Sequence, residues 1–174
     1  MSEVLSLALL GSSEIDQLSG LLGDAVMDGA SVGYVLPVDD ALLDEYWRSV
    51  ARELLAGSIC LLIIRRDGRI VGSAQLAFCA KPNGRHRAEV QKVLVHSGYR
   101  RRGLGLALMI ALEQRAREHG RSLLVLDTES DSGGQRLYET MGYLKAGSIP
   151  GFCSGTISGW AATTCMYKHL NGPP

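Results

Sequence analysis

Residues 99–105 read YRRRGLG: three consecutive guanidinium groups, Arg100, Arg101 and Arg102, stand directly before Gly103, Leu104 and Gly105. The apolar run Val93, Leu94, Val95 precedes them and Leu106 and Leu108 follow, so the cluster lies where a strand-like pattern gives way to a helical one. The first turn of a helix leaves N–H groups unpaired and carries partial positive charge. Glycines let an anion approach that backbone, and arginines add charge and several donors. Together these features suit a pyrophosphate. Two other phosphate motifs fit poorly. A Walker A loop ends Gly-Lys-Ser/Thr, whereas Leu104 follows Gly103; a dinucleotide fingerprint needs Gly or Ala where Leu108 stands. A solvated arginine loop with glycines for a tight turn is also compatible with these residues.

The elements around this junction follow from hydrophobic period. Residues 3–10 form a short first strand. Ser13 and Asp16 fit a capping-box start for a helix carrying Ile15, Leu18, Leu21, Leu22, Ala25 and Val26 on one face. Asp39 or Asp40 caps a second helix with Leu43, Trp47, Val50, Ala51, Leu54 and Leu55 as its stripe, and Gly57 ends it. Residues 59–65 and 69–79 make a hairpin across Asp67-Gly68. After a polar loop at 81–87, AEVQKVLVH at 88–96 is the third strand of an antiparallel meander. A third helix runs from residue 103 to Gly120, with Arg115, Arg117 and His119 near its negative end. The apolar run SLLVLD at 122–127 reads as a buried strand, parallel to the one before the helix. A short helix at 132–141 stops at Gly142, and strands at 143–149 and 162–168 complete a mixed α/β domain spanning 1–174.

Composition excludes several classes. A chain of 174 residues, 46% hydrophobic, can bury a substantial core. With 18 basic and 18 acidic residues the formal charge is zero, which argues against bulk electrostatic binding to nucleic acid or an anionic membrane. No apolar run is long enough to span a bilayer and no secretory signal precedes the first strand, so a cytoplasmic location is expected. Cys60, Cys79, Cys153 and Cys165 lack metal-ligand spacing, and His86, His96, His119 and His169 are scattered, so no metal site is expected. Tyr46, Trp47, Phe152 and Trp160 read as packing or pocket walls. Pro150-Gly151-Phe152-Cys153 reads as a turn lining the acceptor site, and open strand edges leave room for a homodimer.

The run QKVLVHSGYRRRGLGLALMIALEQRAREHG resembles the central strand, loop and helix of the GNAT N-acetyltransferase family. Arg100, Gly103 and Gly105 match that family's Gln/Arg-x-x-Gly-x-Gly/Ala motif, and LYETMGY at 137–143 resembles its Leu-Tyr-Glu-x-x-Gly-Phe/Tyr segment. The order of expected elements agrees as well. The resemblance implies a mostly antiparallel sheet of about seven strands with one parallel central pair and about four helices. It also implies acetyl-CoA as acyl donor, with its diphosphate on Arg100, Arg101, Arg102, Gly103, Leu104, Gly105 and Leu106. Its pantetheine would lie along Val93, Leu94 and Val95, at a β-bulge typical of the family. ASVGYVLPVD, LAFCAKPNGRHRAEVQKVLV, LLVLDTES and PGFC further resemble a branch that acetylates a small β-lactam amino-acid toxin, which implies a small-molecule amine as acceptor.

Acetyl transfer needs a neutral amine and a protonated leaving thiol. An α-amino group has a pKa of about 7.7–8.0, within reach of a carboxylate base. By resemblance, Glu89 at the start of the central strand and Asp127 at the end of the next one form the base pair, and Tyr138 is the acid. Backbone N–H groups near Val93 would polarise the thioester carbonyl. Many members carry Asn seven residues and Ala four residues before the tyrosine, where this chain has Asp131 and Gly134. Two other readings share the fold: an acetyl-CoA-binding sensor without transferase activity, and an enzyme for a protein N-terminus or lysine.

Overall fold

The computed structural model describes residues 3–155 and 159–170. Seven strands form one sheet: β1 (Leu5–Leu7), β2 (Ile59–Arg66), β3 (Arg69–Phe78), β4 (Arg87–Val95), β5 (Leu123–Glu129), β6 (Leu144–Ser154) and β7 (Trp160–His169), in spatial order β1-β2-β3-β4-β5-β7-β6. Four helices accompany them: α1 (Ser12–Met27), α2 (Asp40–Leu55), α3 (Leu104–Glu118) and α4 (Gly133–Thr140). The class expected from the sequence, a mostly antiparallel sheet with one parallel central pair, is the one observed.

The continuous apolar run of β2 reflects burial on both faces. Leu61 and Ile63 join Leu18, Leu22, Leu43 and the fully buried Trp47 in a core beneath α1 and α2. Leu62 and Ile64 join Leu108, Met109, Leu112 and Tyr138 in a second core beneath α3 and α4. A strand covered on one side only would alternate instead. Most stop and start signals act as expected. The Asp39 carboxylate accepts from the Ala41 N–H at 2.9 Å, Ser132 caps α4, and Gly57, Gly120 and Gly142 follow α2, α3 and α4 with positive φ.

Three expectations are corrected. Gly11, not Ser13, is the N-cap of α1; the Ser13 hydroxyl lies within the helix and accepts from Gln17 Nε2 at 3.2 Å. The first strand is only Leu5–Leu7, because pairing with Leu61, Leu62 and Ile63 of β2 stops there. Residues 150–153 do not form a turn between two short strands. β6 continues to Ser154, and residues 150–152 bulge out of it between the Ile149–Thr163 and Cys153–Ala161 pairs. Pro150 lacks the N–H that a regular ladder uses, so a bulge accommodates it. Trp160 begins β7 at 79% exposure and therefore walls no core.

A buried ion pair locks α3 to β7. The Lys168 ammonium donates to both carboxylate oxygens of Glu113, at 2.7 and 2.9 Å, and to the Met141 carbonyl at 2.8 Å, while Arg117 stands 3.7 Å from Glu113. Glu113 is 6% exposed, so removing its partner leaves a buried charge. Lys168→Met is expected to lower unfolding free energy by about 3 kcal/mol in urea titration; an unchanged midpoint would show that Arg117 alone satisfies Glu113.

Candidate active site

β4 and β5 are parallel and pair at only three positions, Arg87–Leu123, Ala88–Leu124 and Glu89–Val125. Beyond them β4 keeps its partner β3 as far as Val95, and β5 keeps β7 as far as Glu129. The two strands therefore part, and their facing edges border a groove of about 1000 Å³. Main-chain groups on the β5-facing edge of residues 90–95 have no strand opposite them, so they are available to a ligand.

A bulge marks this edge. Ser73 pairs with Leu94 and Gln75 with Gln91, so β4 carries one residue more than β3 between those pairs. Lys92 takes up the irregularity with φ 46. The inserted residue also reverses the strand's faces: Ala88 and Val90 join the α3–α4 core, whereas Leu94 joins the α1–α2 core. The family bulge expected in this strand is present.

Arg100, Arg101, Gly103, Leu104, Gly105 and Leu106 line one wall of the groove. Gly103 has φ 76 and no side chain caps the start of α3, so the N–H groups of its first turn face the groove uncapped. Arg100 is drawn toward the α1–α2 connection, where it pairs with Asp28, and its Nε donates to the Val95 carbonyl at 3.1 Å. Arg102 does not reach the groove; its guanidinium lies over the Tyr99 ring at 5.4 Å.

The opposite walls carry the groups suited to proton transfer. Glu89, Asp127 and Tyr138 all border the groove, so residues from β4, β5 and α4 converge as the sequence suggested. Both carboxylates are exposed to solvent. The Thr163 hydroxyl lies 2.9 Å from Asp127 Oδ2 and 3.0 Å from the Thr128 carbonyl, fixing Asp127 against β7. Tyr138 is 8% exposed, and burial, helped by the negative charge of Asp127, pushes its hydroxyl above the ordinary tyrosine value. It therefore stays protonated at neutral and moderately alkaline pH.

The Gly134 departure has a steric origin. A Cβ there would meet Thr128 Oγ1 at 3.1 Å, so the threonine occupies space an alanine would need. Asp131 does not border the groove; it sits at φ 61, with its N–H donating to Gln135 Oε1 at 3.0 Å.

Sequence reasoning missed two residues of the site, Thr163 and Lys92. In the sequence Lys92 reads only as a nearby ion-pair partner for Glu89. Its ammonium donates to the Val32 carbonyl at 3.0 Å and lies 5.0 Å from the Tyr46 ring centroid, and all three residues border the groove. Burial pushes Lys92 below the ordinary lysine value, against the opposing pull of Asp127 and Glu89. Phe152 and Cys153 do line this end, with Cys153 Sγ 3.4 Å from the Ser31 hydroxyl.

This fold is shared with known proteins. The acetyltransferase (GNAT) family model matches residues 24–143, and the chain belongs to that family. An uncharacterized N-acetyltransferase in the hisH-hisA intergenic region of Azospirillum brasilense is 31% identical over 155 residues, 87% of this chain and 90% of the relative. Among solved structures, yncA, a putative acetyltransferase from Salmonella typhimurium with its cofactor acetyl-CoA, superposes with a TM-score of 0.77 at 21% identity, covering 99% of this chain and 97% of that one. A ribosomal-protein-alanine N-acetyltransferase from Brucella melitensis gives 0.77 at 23% identity, covering 95% and 99%.

Gly103 offers a direct structural test. A Cβ there meets nothing within 4 Å, so the left-handed backbone is the only obstacle to a side chain. Gly103→Ala is expected to cost about 1 kcal/mol in thermal or urea unfolding, and Gly103→Asn less, because Asn visits that region more readily. Equal losses would point to a steric cause instead.

Proposed function

We propose that this protein transfers an acetyl group from acetyl-CoA to the amine of a small molecule. The observation that carries the reading is convergence: an uncapped helix start with two arginines, an unpaired strand edge and the Glu89–Asp127–Tyr138 set all border one groove. The residues present suit the cofactor. Arg100, Arg101 and the N–H groups of residues 103–106 would hold its diphosphate, with Arg102 adding charge from outside the groove. The open edge at Val93, Leu94 and Val95 would hold the pantetheine arm through main-chain hydrogen bonds. When bound, acetyl-CoA supplies the acetyl group as a thioester and leaves as the free thiol.

The chain's own residues then divide the proton transfers. Glu89, with Asp127 and an intervening water, takes a proton from the acceptor ammonium so that a neutral amine can attack. Thr163 keeps Asp127 turned toward the groove. Backbone N–H groups around Val93 polarise the acetyl carbonyl. Tyr138 gives its proton to the departing sulfur, and its burial keeps that proton in place until then.

For the acceptor, the stretches ASVGYVLPVD, LAFCAKPNGRHRAEVQKVLV, LLVLDTES and PGFC resemble tabtoxin resistance protein, which acetylates a small β-lactam amino-acid toxin. That likeness supports a small amino-acid-like amine and a role in toxin or antibiotic resistance. A protein N-terminus is favoured by one other feature. Beside Glu89 and Asp127 an open hollow of about 480 Å³, bordered by Leu123, Val125, Ala146, Cys165 and Tyr167, offers an apolar surface on which a peptide could lie.

Coenzyme A release from acetyl-CoA, screened over β-lactam amino acids, polyamines, aminoglycosides and short peptides, tests transfer and acceptor together. Turnover with a small amine is the expected result; tight acetyl-CoA binding with no turnover over the whole panel would favour a sensor. With an active amine, Tyr138→Phe is expected to lower kcat by about 100-fold or more. Because burial raises the Tyr138 pKa above its ordinary value of about 10, wild-type kcat should rise as the amine deprotonates and show no alkaline fall below about pH 10. A fall near pH 8 would remove Tyr138 as the acid.

A further inference from the structure

Lys92 is an ammonium placed where lysines are seldom left. It is set by the β4 bulge on the sheet face beneath α1 and α2, and of its three N–H donors one is given to the Val32 carbonyl. The Tyr46 ring supplies a π face at 5.0 Å, and the Tyr46 hydroxyl is itself committed to Gln75 Oε1 at 2.8 Å. Gly33 packs beside the ammonium, where a Cβ would stand in van der Waals contact, 3.8 Å from Nζ. The acidic groups that influence Lys92 are Glu89 and Asp127, and among the described residues neither forms an ion pair with it within 4.0 Å. One wall of the groove is thus a partly desolvated cation with donors to spare; another is a pair of carboxylates.

Desolvating an ammonium costs free energy that one carbonyl and one ring do not recover fully. A bound anion would complete its coordination. We infer that Lys92 is the acceptor-carboxylate subsite: the groove takes small molecules carrying both an amine and a carboxylate, with the ammonium on the Glu89–Asp127 side and the carboxylate on Lys92. This rests on the acetyltransferase reading and narrows it. A peptide, whose carboxylate is replaced by an amide near the reacting amine, leaves Lys92 unanswered. A polycationic amine meets it as a repelling charge, and an amine with no acid leaves it unanswered.

The test uses matched acceptors that differ only at the acid: β-alanine and β-alaninamide, 4-aminobutyrate and 4-aminobutyramide, lysine and lysinamide, and a β-lactam amino acid with its amide. Coenzyme A release is followed with wild-type protein, Lys92→Met and Lys92→Arg, each checked by thermal melting. Wild type should favour the acid of an accepted pair by about 10- to 100-fold in kcat/KM, the range of a hydrogen bond to a charged group. Lys92→Met should collapse that ratio to within about threefold of unity, chiefly by raising KM for the acid, and Lys92→Arg should restore part of it. If Lys92 merely pins the α1–α2 connection, Lys92→Met would depress acid and amide alike and leave the ratio standing, which overturns the inference while acetyl transfer survives. A wild-type ratio near unity overturns it too. No coenzyme A release with any member, when a polyamine or aminoglycoside is acetylated, overturns the inference while acetyl transfer survives; no release over the whole amine panel removes the underlying reading, and the inference with it.

Discussion

Everything functional in this molecule depends on two parallel strands ceasing to pair. β4 and β5 hold together for three residue pairs and then part, each keeping its antiparallel neighbour. Backbone N–H and C=O groups left unpaired in a protein interior are costly, and a fold that opens such an edge must give it to water or to a ligand. Here the opened edge runs from the carboxylate Glu89 to the arginine–glycine turn, so a single geometric event joins Glu89 at one end to the uncapped helix start at the other. The cores beneath α1–α2 and α3–α4 cover the two faces of the sheet, and β4 contributes to both.

The bulge at Lys92 is the second determinant. One added residue exchanges the faces of β4, so that the short run Val93, Leu94, Val95 contributes to both cores in turn. Without it, the period-two alternation set by Ala88 and Val90 would place Leu94 in the α3–α4 core. The same residue that makes this correction carries a charge into the groove. Structural necessity and a groove-lining charge meet in one position.

Much of the fold was legible because its signals are local. Asp39 at the start of α2, Gly57, Gly120 and Gly142 past helix ends, and Asp67-Gly68 in the hairpin act through their own backbone or that of near neighbours. The resemblance singled out Glu89, Asp127 and Tyr138, which all border the groove. What the sequence concealed depends on contacts distant in the chain. Thr163 reaches Asp127 across 36 residues, and Lys92 reaches Val32 across 60. Arg102 looked equivalent to Arg100 and Arg101, yet a single residue step turned it onto Tyr99. The continuation of β6 past Pro150 was hidden for a related reason: proline reads as an interruption, and only pairing with β7 shows that the strand resumes.

The connection between α1 and α2 is fastened at two separate places. Asp28 pairs with Arg100, while Val32 is held by Lys92, and all four residues border the groove. A ligand that draws Arg100 away from Asp28 loosens one fastening; a ligand that engages Lys92 alters the other. Two such occupants would share a free energy through the three residues that lie between Asp28 and Val32, and linkage requires that whatever the first does to the affinity of the second, the second does to the first by the same factor. That coupling would run through a segment that contains neither carboxylate nor Tyr138.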